Sequence, residues 1–88
     1  MSKPVERLGN EILKTLIERA PDQQFLLIDG FNDAVMGSTT EGVLIYSATL
    51  CINILEEQME KKEALDYFYF NILGAHFGEN SPIFCIDF

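Results

Sequence analysis

His76 and Glu79 stand three positions apart near the end of an 88-residue chain, and His76 is its only imidazole. On a continuous helix a three-residue step puts both side chains on one face. Such a pair suits an acid–base couple or two ligands of a metal ion. A metal site needs three or four ligands, and Asp29, Asp33 and Asp66 are carboxylates that would complete the set. A small metal-dependent or acid–base enzyme, using His76 and Glu79 with Asp29 or Asp33, is therefore one reading. Nothing in the spacing forces those segments together. The other reading places His76 at a helix C-terminus, where the helix dipole favours an imidazolium. Glu79 and Asn80 then become turn residues, one of them bonding freed backbone groups. The structural reading is the one we adopt, so no catalytic residue, metal or cofactor is expected.

The remaining polar candidates read the same way. Asp29-Gly30-Phe31-Asn32-Asp33 lacks the 1-3-5…12 ligand spacing of a calcium loop and is expected to be a capped turn handing a helix to a strand. Asn71 lies among apolar and aromatic residues, and a buried amide must be hydrogen-bonded. It is expected to tie its helix to a loop, with the DGFND turn as one partner. Cys51 and Cys85 sit in apolar runs with no CxxC. A reactive thiolate wants an electropositive, accessible setting, so both are expected to be reduced core residues.

The aromatic run is a different matter. Tyr67, Phe68, Tyr69, Phe70 and Phe77 are spaced so that no single helix face can take them all. Phe68 and Leu65 are expected in the core. Tyr67 or Tyr69, and one of Phe70 or Phe77, must look elsewhere. An apolar patch of that size signals contact with something, and Tyr and Phe are enriched at interface centres. Tyr67, Tyr69, Phe70 and Phe77, with Phe31, are the interaction candidates. Either the amphipathic first helix covers the patch within its own chain or a partner or second copy does, and a homodimer is expected.

Charge narrows the partners. Six Lys+Arg face fourteen Asp+Glu, for a net charge of −8. A phosphate backbone is repelled by such a surface, so direct nucleic-acid binding is not expected. The same holds for an anionic membrane. A basic protein partner fits. The apolar residues, 48% of the chain, come in short runs, none near the ~20 residues that span a bilayer. No basic-then-apolar leader opens the sequence, and a cytoplasmic location is expected.

These residues must be positioned by a few elements. Val5, Leu8, Ile12, Leu13, Leu16 and Ile17 recur at helical steps and predict an amphipathic helix over 3–19, with Ser2 as cap, Pro4 in the first turn and Pro21 as stop. Residues 21–28 fit a helical turn or a short strand, and the helical turn is favoured because Asp29-Gly30 looks like a helix exit. From Asp33 the period shortens. Two strands flank Thr39-Thr40-Glu41-Gly42, a hairpin with Gly42 at positive φ, and apolar residues on both faces suggest a strand covered on both sides. Ala48, Cys51, Ile52, Leu55 and Met59 predict a helix over 47–59, capped by Ser47. A second helix follows over 63–77, with Gly78 past its end. The apolar phase survives Glu60-Lys61-Lys62, so one rod of about 45 Å is possible (30 residues at ~1.5 Å each). An αα-hairpin is preferred for compactness. Ser81-Pro82 turns the chain into the strand Ile83–Ile86. The sum is a small single α+β domain over 1–88. Its N-terminal helix, hairpin and two helices end in a C-terminal strand that joins a short antiparallel or mixed sheet.

Two segments carry a resemblance. One is Gly30-Phe31-Asn32-Asp33-Ala34-Val35-Met36-Gly37. The other is the tail from Glu63-Ala64, through Phe68, Asn71, Gly74-Ala75 and Gly78-Glu79, to Ser81-Pro82-Ile83-Phe84. Together with Tyr46 and Cys51-Ile52 they resemble a family of small acidic proteins encoded mainly by bacteriophages, which end in an EEA…FxxN…GA…GExTP tail. The resemblance covers residues 29–86. His76 stands where those proteins carry a hydrophobic or aromatic residue, and the Gly-containing turn between their two helices is absent here. The resemblance implies a phage or phage-derived origin and brings no established activity with it. With the charge and the aromatic run, it leads to a small phage protein-interaction module that acts by contact with a host or phage protein, in an anti-host or anti-defence role. A structural accessory subunit of a phage assembly is the other non-enzymatic reading.

Overall fold

The computed structural model describes residues 8–74, 78 and 80–88. The described residues form an α+β domain with three α-helices and a three-stranded sheet. Helix α1 spans Gly9–Arg19 and ends before a turn at Pro21-Asp22. Leu13 is buried on its inner face, with Ile12 and Leu16 packed beside it. Leu8 is its N-cap residue, and the part of the predicted helix before it, with Ser2, Pro4 and Val5, lies outside the described residues.

Residues 23–28 form neither the expected helical turn nor a strand. The segment is tied to the sheet where the Ile28 N–H donates to the Tyr46 hydroxyl at 2.9 Å. Leu26 and Leu27 stay exposed while Ile28 is buried. Gly30, at φ 88°, then turns the chain into a short 3-10 turn, Asn32–Ala34. The DGFND segment thus leads into a strand, as expected, but it receives the chain from an irregular segment rather than a helix, and no side chain caps its 3-10 turn.

Strand β1 (Val35–Ser38) pairs antiparallel with β2 (Leu44–Ser47). Val35 faces Tyr46 and Gly37 faces Ile45, so Met36 is the extra residue of a bulge. The hairpin turns where Thr39-Thr40-Glu41-Gly42 predicts. Gly42 has φ 86°, and Thr39 Oγ1 accepts the N–H groups of Glu41 and Val43. Leu44 and Tyr46 are buried in the core, while Ile45, on the other side of β2, is only half covered.

Ser47 ends β2 and caps α2 (Ala48–Leu55), accepting the Leu50 N–H at 3.1 Å. Ala48, Cys51, Ile52 and Leu55 make its buried stripe. The helix stops at Leu55 without Gly or Pro. A tightened turn follows, and Glu60 is extended at ψ 157°. The long rod is therefore broken, and α3 starts at Lys61, two residues earlier than the sequence suggests.

Helix α3 (Lys61–Tyr67) does not run on as an α-helix. It widens into a π-helix over Phe68–Leu73. The buried residues Ala64, Phe68 and Ile72 are spaced in steps of four. In an α-helix each such step overshoots a full turn by roughly 40°. A wider i→i+5 turn corrects the overshoot and keeps all three facing the core. Strand β3 (Ile83–Cys85) then pairs parallel with β2, completing a mixed sheet in the order β1-β2-β3. A parallel neighbour requires a crossover, which α2, α3 and the π-helix supply. Phe84 meets Phe68 edge-on at 5.4 Å between ring centres and lies 5.9 Å from Tyr46.

Candidate protein-contact face

The stripe that buries Ala64, Phe68 and Ile72 leaves the neighbouring positions outside. Phe70 is 81% exposed, Tyr67 and Tyr69 are both near half exposed, and Leu73 is partly so. Glu63, Asp66, Tyr67 and Phe70 recur at helical steps on one face. With Met59 and Asn71 they line a shallow concavity of about 340 Å³. Among the described residues, two carboxylates and no cation line it. Asn71 is exposed there. It is not the buried tie to the DGFND turn that its apolar neighbours suggest, because the π-helical turn rotates it outward beside Phe70.

Phe31 is not part of this face. It is buried and belongs to the core. The aromatic spacing on which the interface candidates rest does not include it, and the turn before β1 points it inward. His76, Phe77 and Glu79 lie outside the described residues. Asn80 is exposed with φ 64°, a left-handed conformation that asparagine tolerates better than most residues.

Asp29 and Asp33 come together with Asn10, Gly30 and Asn32 around a polar concavity of about 320 Å³. The Asn10 side-chain amide donates to the Asp33 carboxylate, joining α1 to the 3-10 turn. Among the described residues, no group of three or more His, Cys, Asp or Glu side chains could hold a metal ion. A further concavity, of about 340 Å³, lies between α2 and α3 beside Phe88. Glu56 and Lys61 place both signs of charge on its wall.

Neither cysteine is in a disulfide. Burial, aided by the nearby Asp87 carboxylate, pushes the Cys51 thiol up to about 12 and favours its protonated form. Cys85 is half-buried.

Asp87 is the residue that sequence reasoning missed. Its carboxylate accepts the Ser47 hydroxyl at 2.6 Å and the Thr49 N–H at 2.8 Å. The Thr49 hydroxyl donates to its backbone carbonyl. An anion at a helix N-terminus is favoured by the dipole and by the free N–H groups. Burial alone would raise this carboxyl, but the hydrogen bonds from Ser47 and Thr49 outweigh it and hold it below the ordinary value. Forty residues separate Asp87 from Ser47, and no local spacing signals the pair.

Comparisons with protein-family models, with curated proteins and with solved structures return no match to this chain. No helix among the described residues is long and apolar enough to cross a membrane.

Proposed function

We propose that this protein is a small phage-type interaction module that acts by protein contact through the aromatic face of α3 and its π-helical continuation, and that it is not an enzyme. The observation that carries the reading is Phe70, 81% exposed beside half-exposed Tyr67 and Tyr69. A ring of this size held in water is unfavourable, and removing it from water against a partner recovers that free energy. The π-helix adds support, because such turns are frequent at functional sites. The phage origin rests on the resemblance of residues 30–37 and 63–84. Anti-host or anti-defence action follows from that resemblance by analogy.

The test is capture of tagged protein from bacterial cells, with wild type and Phe70→Lys compared side by side. The expected result is a protein retained by the wild type and lost with the variant. A host component among the captured proteins marks anti-host action, and a virion component marks an accessory subunit. Identical recovery by both forms overturns the reading. A second copy of the chain is another occupant of the same face. Light scattering at micromolar concentration detects it as a dimer mass that Phe70→Lys halves.

A further inference from the structure

We infer that the occupant of this face is a basic, amphipathic segment of another protein. It would place an apolar side chain in the concavity of Met59, Tyr67 and Phe70, and set lysine or arginine side chains against Glu63 and Asp66. The inference rests on the aromatic-face reading above and adds the chemistry of the partner.

The lining of the concavity decides the sign of that chemistry. Glu63 and Asp66 are both exposed on it, and among the described residues no Lys or Arg lines it. Lys61 and Lys62 precede it on α3, and Lys62 stands four positions before Asp66, but neither faces into it. The chain as a whole carries −8, so the field around the face attracts cations and speeds their encounter. A second copy would press the same carboxylates against each other, and like charges in contact are penalised. Nucleic acid and anionic lipid are repelled. An uncharged segment would leave both carboxylates losing water with nothing in return. The apolar part of the site has its own requirement. The ring of Phe70 and the side chain of Met59 flank a hollow suited to one large anchor, and methionine adapts its shape to such an anchor. Exposed Asn71, at the rim, offers both a donor and an acceptor to a backbone. These features fit an amphipathic helix or strap with cations beside an apolar anchor.

The chain contains no tryptophan, so emission from a tryptophan-bearing peptide reports the peptide alone. The probe is a synthetic peptide with lysines and leucines at helical spacing and one tryptophan anchor. Its control has every lysine replaced by glutamate. We expect anisotropy to rise with the lysine peptide and not with the glutamate peptide. Phe70→Ser should weaken binding about tenfold or more, as loss of a central anchor does. Joint Glu63→Gln and Asp66→Asn should weaken it about fivefold, as two exposed ion pairs would. Removing the same charge from α1, by Glu11→Gln and Glu18→Gln, should leave it within error. Raising salt from about 0.1 M to about 1 M shrinks the screening length from ~10 to ~3 Å and should also weaken binding. Absence of binding by the lysine peptide overturns the inference. So does binding that ignores Phe70→Ser, or that falls equally with the α1 and α3 neutralisations, since either is unspecific polycation attraction. If cells yield a partner that depends on Phe70 while the lysine peptide stays free, the aromatic face stands and the basic occupant is wrong.

Discussion

Tyr46 shows how one side chain can hold an irregular segment in place. Its ring is fully buried between β2 and the crossover helices, and its hydroxyl accepts the Ile28 N–H. Burial raises the phenol above its ordinary value, with the Ile28 bond opposing and Cys51 adding to the rise, so it stays neutral and keeps its proton. Tyr46→Phe keeps the ring but strands the Ile28 N–H in the core. An unsatisfied buried donor costs about 1–3 kcal/mol, and urea unfolding should show a loss of that size. A smaller loss would mean that residues 23–28 rearrange to bond Ile28 elsewhere. The sequence marks Tyr46 only as a strand aromatic. Its partner is 18 residues away in a segment with no regular period, which is why residues 21–28 resist assignment by pattern.

At the scale of elements, the helices and strands form largely where their periods place them, while their ends are set by contacts from elsewhere. Ser47 is legible as a cap because Ser before an apolar helical stripe is a local signal. The second half of that cap, Asp87, comes from past β3. Because the Asp87 carboxyl is held below its ordinary 3.8 in the folded protein, it binds its proton less readily folded than unfolded. Its contribution is present above pH 3.8 and is lost as the pH falls through the lower folded value. Asp87→Ala should therefore destabilise by about 0.5–2 kcal/mol near neutrality, the usual range for a lost N-cap. The gap between wild type and variant, followed by urea midpoints against pH, should close on the acid side of that window. A gap that persists unchanged into strong acid would show that charge at α2 is not what Asp87 supplies. The switch from α3 to a π-helix is also decided by packing. The steps of four from Ala64 to Ile72 are visible in the sequence, but an α-helix tolerates one such step. What the sequence does not show is the position of Phe84, which holds the Phe68 ring edge-on against β3.

For the molecule as a whole, docking of α1 rests on a residue that spacing alone treats as a weakness. Gly9 opens α1 against the backbone of the 3-10 turn, and a Cβ there would overlap the backbone of Asn32 and Asp33. Asn10 then bonds Asp33 beside it. In an exposed helix Gly→Ala gains up to ~1 kcal/mol. Here Gly9→Ala should instead lose about 1–3 kcal/mol, because a rigid backbone cannot yield to the methyl. Thermal unfolding gives the sign directly, and a stabilised variant would refute the close approach. A glycine within an amphipathic helical pattern was a readable hint of such packing, but not of what it packs against.

By itself the sequence determined the α+β class, the hairpin with its Gly42 turn, the buried stripe of α2 and the surplus of aromatics around Tyr67–Phe70. All of these depend on neighbours a few residues apart, where period, cap and turn chemistry act. Only the tertiary structure decided that Phe31 goes inside, that Asn71 turns outward, that Asp87 completes the α2 cap and that Phe70 is the most exposed ring among the described residues. Each of those outcomes depends on which distant segment occupies the adjoining space, and side-chain type and spacing do not encode that occupancy.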